Sequence, residues 1–373
     1  MEITIQEVTS KKQMNAFLDF PYALYQNNPY NIPKLRFDEA ATLDPKKNPA
    51  FEFCKARYWV AYQDGKVVGR VAAIYNQKYV ERWKNNYLRF GWIDFIENID
   101  VAKALIQAVE QWAKDLGCTA VHGPLGFTDL DFEGMLIEGF EERGTMATIY
   151  NYPYYPKFLE ALGYGKAVDW VEYRINVPDH LPENILKIAN LVERRLKLHV
   201  VPMKSTKDLK PYAKEVFKLV NETYAELYGV VELTQRQIDY YVKMYFSMIR
   251  VEFITLLANE QNELVAFGIS MPSLSKALQK AKGSLFPFGF IHLLKALKRN
   301  DEADLLLIGV DKKLQGKGVN AIVLREFNKN FVKAGIRFAE SNPELEENTK
   351  VQSTWEHFDA RQHKRRRCFI KHL

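Results

Sequence analysis

The segment from Leu305 to Ala321 constrains the fold more than any other part of the chain. Its uninterrupted apolar run, Leu305 to Val310, predicts a buried strand, and the apolar face of the residues from Val319 onwards predicts an amphipathic helix. The loop between them contains Gly316 and Gly318, which let a ligand approach the backbone closely. A strand, a glycine loop and a helix in this order predict a mixed α and β architecture.

The start of this helix is a predicted anion site. The first N–H groups of a helix have no intrahelical acceptor, and the positive end of the helix dipole lies beside them. Lys312, Lys313 and Lys317 add positive charge at the rim. Glycine pairs after strands are common, so the glycines alone leave a plain connection between strand and helix open as an alternative.

The loop resembles the acyl-CoA loop of the GNAT superfamily, whose pattern is Gln/Arg-x-x-Gly-x-Gly/Ala. Residues 315–320 match it except at the end, where Asn320 replaces the usual small residue. The resemblance implies acetyl-CoA or a longer acyl-CoA as cosubstrate and no metal. The coenzyme A-binding residues that it implies are Val310, Gln315, Gly316, Lys317, Gly318, Val319, Asn320 and Asn348.

The residues after the next predicted strand resemble the superfamily only in part. Members often carry an Asn here, which Asn348 matches, followed two turns later by a Tyr that protonates the leaving thiolate. Trp355 occupies the Tyr position and has no phenol, so the identity of the general acid stays open. Glu340 ends the predicted strand and is the best single candidate for the general base, although a salt bridge at a strand end explains it equally well.

The N-terminal half resembles the same superfamily. The hairpin around Asp64 and Gly65, the segment 122–127 and the segment 150–156 resemble a bacterial family of tandem GNAT-like proteins. The resemblance implies an α+β fold with mixed central sheets, in two tandem GNAT-like domains packed together. We expect a degenerate N-terminal domain over residues 1–178, a linker helix over 179–196 and an acyl-CoA-binding domain over 197–373.

Acyl transfer to an amine also needs groups that handle protons at the acceptor. One candidate set is the carboxylate cluster of Asp129, Asp131 and Glu133, for which a capped, solvated helix start is the alternative. The other set contains Tyr154 and Tyr155, which are our catalytic candidates from the N-terminal half and for which loop packing is the alternative. We therefore predict an N-acyltransferase with Glu340, Tyr154 and Tyr155 as catalytic residues.

Composition restricts the partners. The net charge of +6 over 373 residues fits an anionic nucleotide cofactor but is too small to indicate DNA, and it disfavours tRNA. The three cysteines form no CxxC pair, which favours reduced thiols and a cytoplasmic location. The expected acceptor is a small-molecule amine or a lipid-like amine. An aminoacyl-tRNA-dependent tandem transferase and a non-catalytic coenzyme A-binding protein remain as alternative functions.

Two further segments have alternative interpretations. Residues 286–299 are apolar on one side and end in Lys295, Lys298 and Arg299. A core helix is the favoured interpretation of this segment, and the alternatives are contact with a membrane surface and the roof of a channel for a long acyl chain. Residues 363–367 form a basic run, for which a solvated strand end is favoured over a contact with the 3′-phosphate of coenzyme A.

Overall fold

Strands and helices are interspersed along the whole chain in the computed structural model, which describes residues 2–245 and 249–373. The described strands are β1 (Ile3–Glu7), β2 (Cys54–Gln63), β3 (Lys66–Asn76), β4 (Tyr87–Phe95), β5 (Ala120–Gly123), β6 (Met135–Glu138), β7 (Gly165–Asn176), β8 (His199–Val200), β9 (Ile254–Ala258), β10 (Leu264–Pro272), β11 (Glu302–Val310), β12 (Phe338–Ser341), β13 (Glu344–Leu345) and β14 (Ala360–His372).

The described α-helices are α1 (Lys11–Leu24), α2 (Arg36–Thr42), α3 (Gln77–Trp83), α4 (Ile99–Asp115), α5 (Tyr154–Ala161), α6 (Glu183–Arg195), α7 (Thr206–Leu209), α8 (Ala213–Tyr224), α9 (Gln235–Tyr245), α10 (Ser275–Ala281), α11 (Gly289–Lys298), α12 (Val319–Ala334) and α13 (Thr349–Gln352). This content of helices and of parallel and antiparallel strands confirms the predicted α+β class with mixed sheets.

Local sequence signals explain where several elements begin and end. Ser10 and Gln13 form a capping box at the start of α1, because the Ser10 side chain accepts from the Gln13 N–H and the Gln13 side chain accepts from the Ser10 N–H. Asp64 and Gly65 turn the chain between β2 and β3 with φ of 50° and 74°. Gly335 ends α12 in the left-handed conformation that favours glycine.

The chain divides into two compact units. Unit 1 comprises Met1–Val171, Ser275–His292 and Lys364–Leu373, and unit 2 comprises Glu172–Leu274 and Leu293–His363. The last ten residues thus belong to the unit that contains the N-terminus, which the order of the elements along the chain did not indicate. The expected boundaries at residues 178 and 196 stay a prediction, because compactness does not test which segments fold alone.

The sheet of unit 1 has the strand order β1-β2-β3-β4-β5, and the end of β14 pairs with β5. β4 and β5 are parallel, and the other pairs named here are antiparallel. The parallel pairing covers only Tyr87–Arg89 of β4, which runs on to Phe95 without β5 as a neighbour. The apolar stripe of α4, including Val101, Leu105 and Trp112, packs on one face of this sheet as its periodicity predicts.

The sheet of unit 2 repeats this pattern. Its strand order is β8-β9-β10-β11-β12, followed by the part of β7 that lies in this unit. β11 and β12 are its parallel pair, with Glu302 to Leu305 opposite Phe338 to Ser341. β11 then continues to Val310 without β12 as a neighbour. Helices α6 and α12 pack on one face and α8 on the other, so the region where the two strands part is held by packed helices.

The basic run at residues 363–367 differs from its favoured interpretation. Lys364 and Arg366 are only 1% exposed, and the Arg366 guanidinium donates to the Ile149 carbonyl at 2.5 Å. Arg367 donates to the Asp169 carboxylate at 2.8 Å. Residues 364–367 of this run belong to unit 1 and are not a solvated strand end, because backbone carbonyls and a buried carboxylate bind their charged groups.

Candidate functional site

The loop that leads into α12 has the geometry that the glycines predicted. Gly316 and Gly318 have φ of 74° and 82°, and Gly318 is the residue that precedes the helix. The Asp311 side chain accepts from the Lys313 N–H at 2.8 Å, and the Gln315 side chain donates to the Val310 carbonyl at 3.0 Å. Side chains within the loop therefore hold it in place while its backbone stays accessible.

Free backbone donors collect at this end of the helix. In the part of the chain that the structure describes, the N–H groups of Gly318, Val319 and Asn320 have no acceptor within the protein. Gly318 also has no side chain that could cap them. Because Lys317 is exposed beside them, the position combines N–H donors, the helix dipole and a positive charge, and these are the requirements for binding a phosphate group.

The end of β11 that extends beyond β12 has an unexpected neighbour in Tyr224, the last residue of α8. Its hydroxyl accepts from the Ile308 N–H at 3.2 Å and donates to the Ile308 carbonyl at 3.1 Å. One phenol thus satisfies both backbone groups of a residue that lies beyond the last β12 partner. The two residues are 84 positions apart in the chain, so no local sequence pattern predicts this contact.

Glu340 lies where the parallel strands are about to part. It pairs in register with Asp304 of β11, one residue before the last pair of the ladder. Its carboxylate Oε1 is 3.4 Å from Nε2 of His363, whose side chain is 1% exposed. The expected salt bridge is therefore present as an acid–imidazole contact, and the role of Glu340 as the base stays a prediction.

Glu344 is the first residue of β13, three positions after the end of β12, and was not among the predicted site residues. Its Oε1 accepts from the Trp355 indole N–H at 2.9 Å. Among the described residues, its buried Oε2 has no hydrogen-bond partner. Burial raises the pKa of Glu344 to about 7, against hydrogen bonds from Trp355 and Ser341 that lower it. A carboxylate with a pKa near neutrality, hydrogen-bonded to Ser341 of the last β11–β12 pair, is suited to accept a proton.

The Trp that replaces the expected Tyr thus has a partner of its own. Trp355 is 9% exposed, and its ring lies near those of Tyr173 and Phe358. Asn348 precedes α13, and its N–H bonds to the Leu345 carbonyl at 2.9 Å. Whether Asn348 contacts coenzyme A stays a prediction.

The corresponding helix start in unit 1 is already capped. The Asn98 side chain accepts from the Asp100 N–H at 2.9 Å, so α4 satisfies its own terminal donor. Glu97 and Asp100 also place negative charge at this position. A phosphate would meet a capped, acidic helix start here, in contrast to the start of α12.

Tyr154 and Tyr155 both bind the end of β4. The Tyr155 hydroxyl accepts from the Phe95 N–H at 2.9 Å, and the Tyr154 hydroxyl donates to the Phe95 carbonyl at 2.8 Å. Tyr155 is fully buried, and its hydroxyl lies 2.9 Å from that of Tyr25. These contacts hold the strand, and participation of the two phenols in catalysis stays a prediction.

The carboxylates of Asp129, Asp131 and Glu133 lie on the loop between β5 and β6, so the helix start considered as an alternative is absent from this described segment. Burial raises the pKa of Asp129 and of Asp131 to about 6. Burial, followed by the neighbouring Asp129, raises the pKa of Glu133 as well. The cluster is therefore partly protonated near neutral pH.

The described residues 2–245 and 249–373 lack two features that would indicate a metal site or a membrane span. They contain no group of three or more His, Cys, Asp or Glu side chains that could hold a metal ion. Within these ranges, no helix is both long enough and apolar enough to cross a bilayer.

Comparison with known proteins gives matches to both the sequence and the fold. Residues 25–123 match the model of the acetyltransferase (GNAT) family. Protein YghO of Escherichia coli (strain K12) is 26% identical over 376 aligned positions, which cover 99% of this chain and 95% of that protein. The bacterial ceramide synthase of Caulobacter vibrioides is 25% identical over 325 positions, which cover 84% of this chain and 82% of that protein.

A solved structure shares the tandem arrangement. The tandem GNAT protein from the clavulanic acid biosynthesis pathway superposes with a TM-score of 0.57 at 12% identity, over 100% of this chain and 98% of that one. At this identity the match establishes the fold, and it does not bear on the substrate.

Proposed function

Since the chain is a tandem two-domain protein of the GNAT superfamily, we propose that it transfers an acyl group from acyl-CoA to an amine. The observation that carries the proposal is the start of α12, where Gly318, Val319 and Asn320 present N–H groups without an acceptor in the described chain. A pyrophosphate is the ligand that such a helix start suits best. The proposed contacts are Val310, Gln315, Gly316, Lys317, Gly318, Val319, Asn320 and Asn348.

A single coenzyme A site follows from the difference between the two units. The start of α4 is capped by Asn98, and the end of β4 is occupied by Tyr154 and Tyr155. Unit 2 has the free helix start instead. We therefore place the acyl donor in unit 2, and the donor occupies the region where β11 and β12 part.

The proposed chemistry is direct attack of the amine on the thioester. The amine nitrogen bonds to the carbonyl carbon, the C–S bond breaks, and coenzyme A leaves as a thiolate that takes up a proton. The alternative, an acyl-enzyme, needs an activated thiolate. All three cysteines are buried, and burial raises the pKa of Cys54 to about 12 and that of Cys118 to about 11. Thiols with raised pKa are poor nucleophiles at neutral pH.

Two carboxylates of unit 2 compete for the role of general base. Glu340 was selected from its position at a strand end, and it faces His363. Glu344 has the free Oε2 and the pKa of about 7. A base works best when its pKa lies near the operating pH, so Glu344 is the stronger candidate. Its proton then becomes available for the leaving thiolate, so that Trp355 does not have to act as an acid.

The acceptor that we propose is a long-chain amine. The Caulobacter relative is named a ceramide synthase, and a ceramide is the amide of a fatty acid with a long-chain amino alcohol. By analogy, the donor is a long-chain acyl-CoA. This assignment rests on a 25% identical relative and needs a direct assay.

The test is release of free coenzyme A together with amide formation. Purified protein is incubated with acyl-CoAs of increasing chain length and a long-chain amino alcohol, and the product is identified by mass spectrometry. Glu344→Gln is expected to lower kcat by about 10²–10⁴-fold, with Glu340→Gln as the competing variant and Glu347→Gln, an exposed neighbour, as the control. Amide formation from an aminoacyl-tRNA without acyl-CoA, or no turnover with any acceptor, would contradict the proposal.

A further inference from the structure

The chain has one long stretch without acidic residues. Residues 264–300 contain six Lys or Arg and no Asp or Glu. Their charge equals the net charge of +6 that the whole chain carries. Positive charge is therefore concentrated in this stretch, while the rest of the sequence is balanced.

Large apolar side chains are exposed within the same stretch. Phe286 is 78% exposed, Phe288 67%, Phe290 39% and Leu294 53%. The neighbouring Leu293 is 7% exposed, so α11 packs on the protein through one side and presents the other to solvent. Contiguous exposed apolar side chains of this size on a soluble surface mark an interaction site.

The exposed phenylalanines are held in place by a structured loop. The Ser284 hydroxyl donates to the Phe286 carbonyl at 2.8 Å. The Phe290 N–H bonds to the Leu285 carbonyl at 2.8 Å, and the Phe286 and Phe290 rings are 6.0 Å apart. The backbone groups of the loop thus bond to one another, and the aromatic rings project beyond them.

The positive charges of the same stretch of sequence are available to a partner. Lys282, Lys295, Lys298 and Arg299 are all exposed. None of the four forms an ion pair with a carboxylate in the described part of the chain. Exposed cations and exposed aromatic side chains on one short segment are the combination with which interfacial segments bind anionic lipid.

We propose that residues 282–299, here called the aromatic segment, dock the protein on an anionic membrane surface. Phe286 and Phe288 enter the boundary between headgroups and acyl chains, and the cations of α11 lie on the lipid phosphates. The chemistry of the segment selects this partner, because an apolar protein groove would not require the concentration of positive charge. The inference stands without the proposed acyltransferase activity.

The experiment is flotation of the full-length protein with vesicles of phosphatidylcholine alone and with about 30% phosphatidylglycerol. We expect binding to the anionic vesicles that weakens as salt is raised. Phe286→Ser with Phe288→Ser should reduce the partition coefficient at least about tenfold. Lys295→Gln with Lys298→Gln and Arg299→Gln should reduce it about a hundredfold on anionic vesicles alone.

Leu191→Ser is the matched control, because Leu191 is 58% exposed and lies outside the aromatic segment. Thermal melting verifies that every variant is folded. The proposal is overturned if the protein stays with neither vesicle, or if Leu191→Ser weakens binding as much as the phenylalanine pair. It is also overturned if light scattering shows a dimer that the phenylalanine pair abolishes while vesicle binding is absent.

Discussion

A charge placed at Gly316 gives the sharpest test of the coenzyme A loop. A Cβ atom at Gly316 would meet no atom within 4 Å, whereas one at Gly318 would lie 3.0 Å from Ile188 Cγ2 and 3.2 Å from Val192 Cγ2. A substitution at Gly318 therefore mixes steric disruption with any effect on the ligand. Gly316→Asp avoids this, and Gly316→Asn has the same shape without the charge.

The expected loss of coenzyme A affinity has two separable contributions, one from the backbone conformation and one from charge repulsion. Both variants must adopt φ of 74°, which costs about 1–2 kcal/mol, and Asn and Asp are the side chains that tolerate it best. Only Asp repels a pyrophosphate. At about 5 Å, a pair of unit charges costs about 1 kcal/mol in water and about 3 kcal/mol at an effective dielectric constant of about 20. Because Gly316 is exposed, we expect a repulsion between these two limits, about 1–2 kcal/mol, which raises the Kd for coenzyme A about five- to thirtyfold.

Calorimetric titration with coenzyme A measures this difference. Gly316→Asn is expected to bind with nearly the affinity of the original protein, and Gly316→Asp five- to thirtyfold more weakly, with the gap narrowing at high salt. Matching melting temperatures of the two variants ensure that the backbone term cancels. Equal affinities for Asn and Asp would refute the assignment of the pyrophosphate to this loop.

Two further predictions concern Glu344 and Tyr155. Burial raises the pKa of Glu344 from 4.5 to about 7, so the folded state binds more protons than the unfolded state between these pH values. The free energy of unfolding should therefore fall by up to about 3 kcal/mol as the pH rises from about 4.5 to 7. Denaturant titrations at pH 5 and pH 8 measure this difference, which should be smaller in Glu344→Gln. Tyr155→Phe leaves the buried Phe95 N–H without its acceptor and should lower the free energy of unfolding by about 1–3 kcal/mol. The KM for acyl-CoA should not change. A fall in kcat at unchanged stability would instead support the catalytic prediction for Tyr155.

Features with a local cause could be predicted from the sequence. The turn at Asp64 and Gly65, the apolar stripe of α4 and the strand, loop and helix around Gly316 each depend on residues within about 20 positions. The mixed fold follows because these local elements alternate. The hairpin at Asp64 and Gly65 and the loop at Gly316 also carry the resemblance to the GNAT superfamily, whose family model matches residues 25–123.

Features made by distant residues could not be predicted. Tyr25 lies beside Tyr155 across 130 positions, and Tyr224 binds Ile308 across 84. The special position of Glu344 could not be predicted, because nothing in the local sequence distinguishes it from the other acidic residues nearby. Its raised pKa comes from burial beside Trp355, and burial depends on the tertiary structure. The burial of the basic run at residues 363–367 could not be predicted for the same reason, since the hydrogen-bond partners of Arg366 and Arg367 are distant in sequence.

The two halves show how a small change at a helix start separates copies of one topology. In each unit a parallel pair of strands parts and a helix begins after the longer strand. At α4 the residue before the helix is Asn98, whose side chain caps the Asp100 N–H. At α12 it is Gly318, which has no side chain. A helix that caps itself gains stability and loses its affinity for an anion, whereas one left uncapped keeps its donors for a ligand. We therefore predict that the acyl donor binds at the start of α12 and not at the start of α4, because only the residue before α12 lacks a capping side chain.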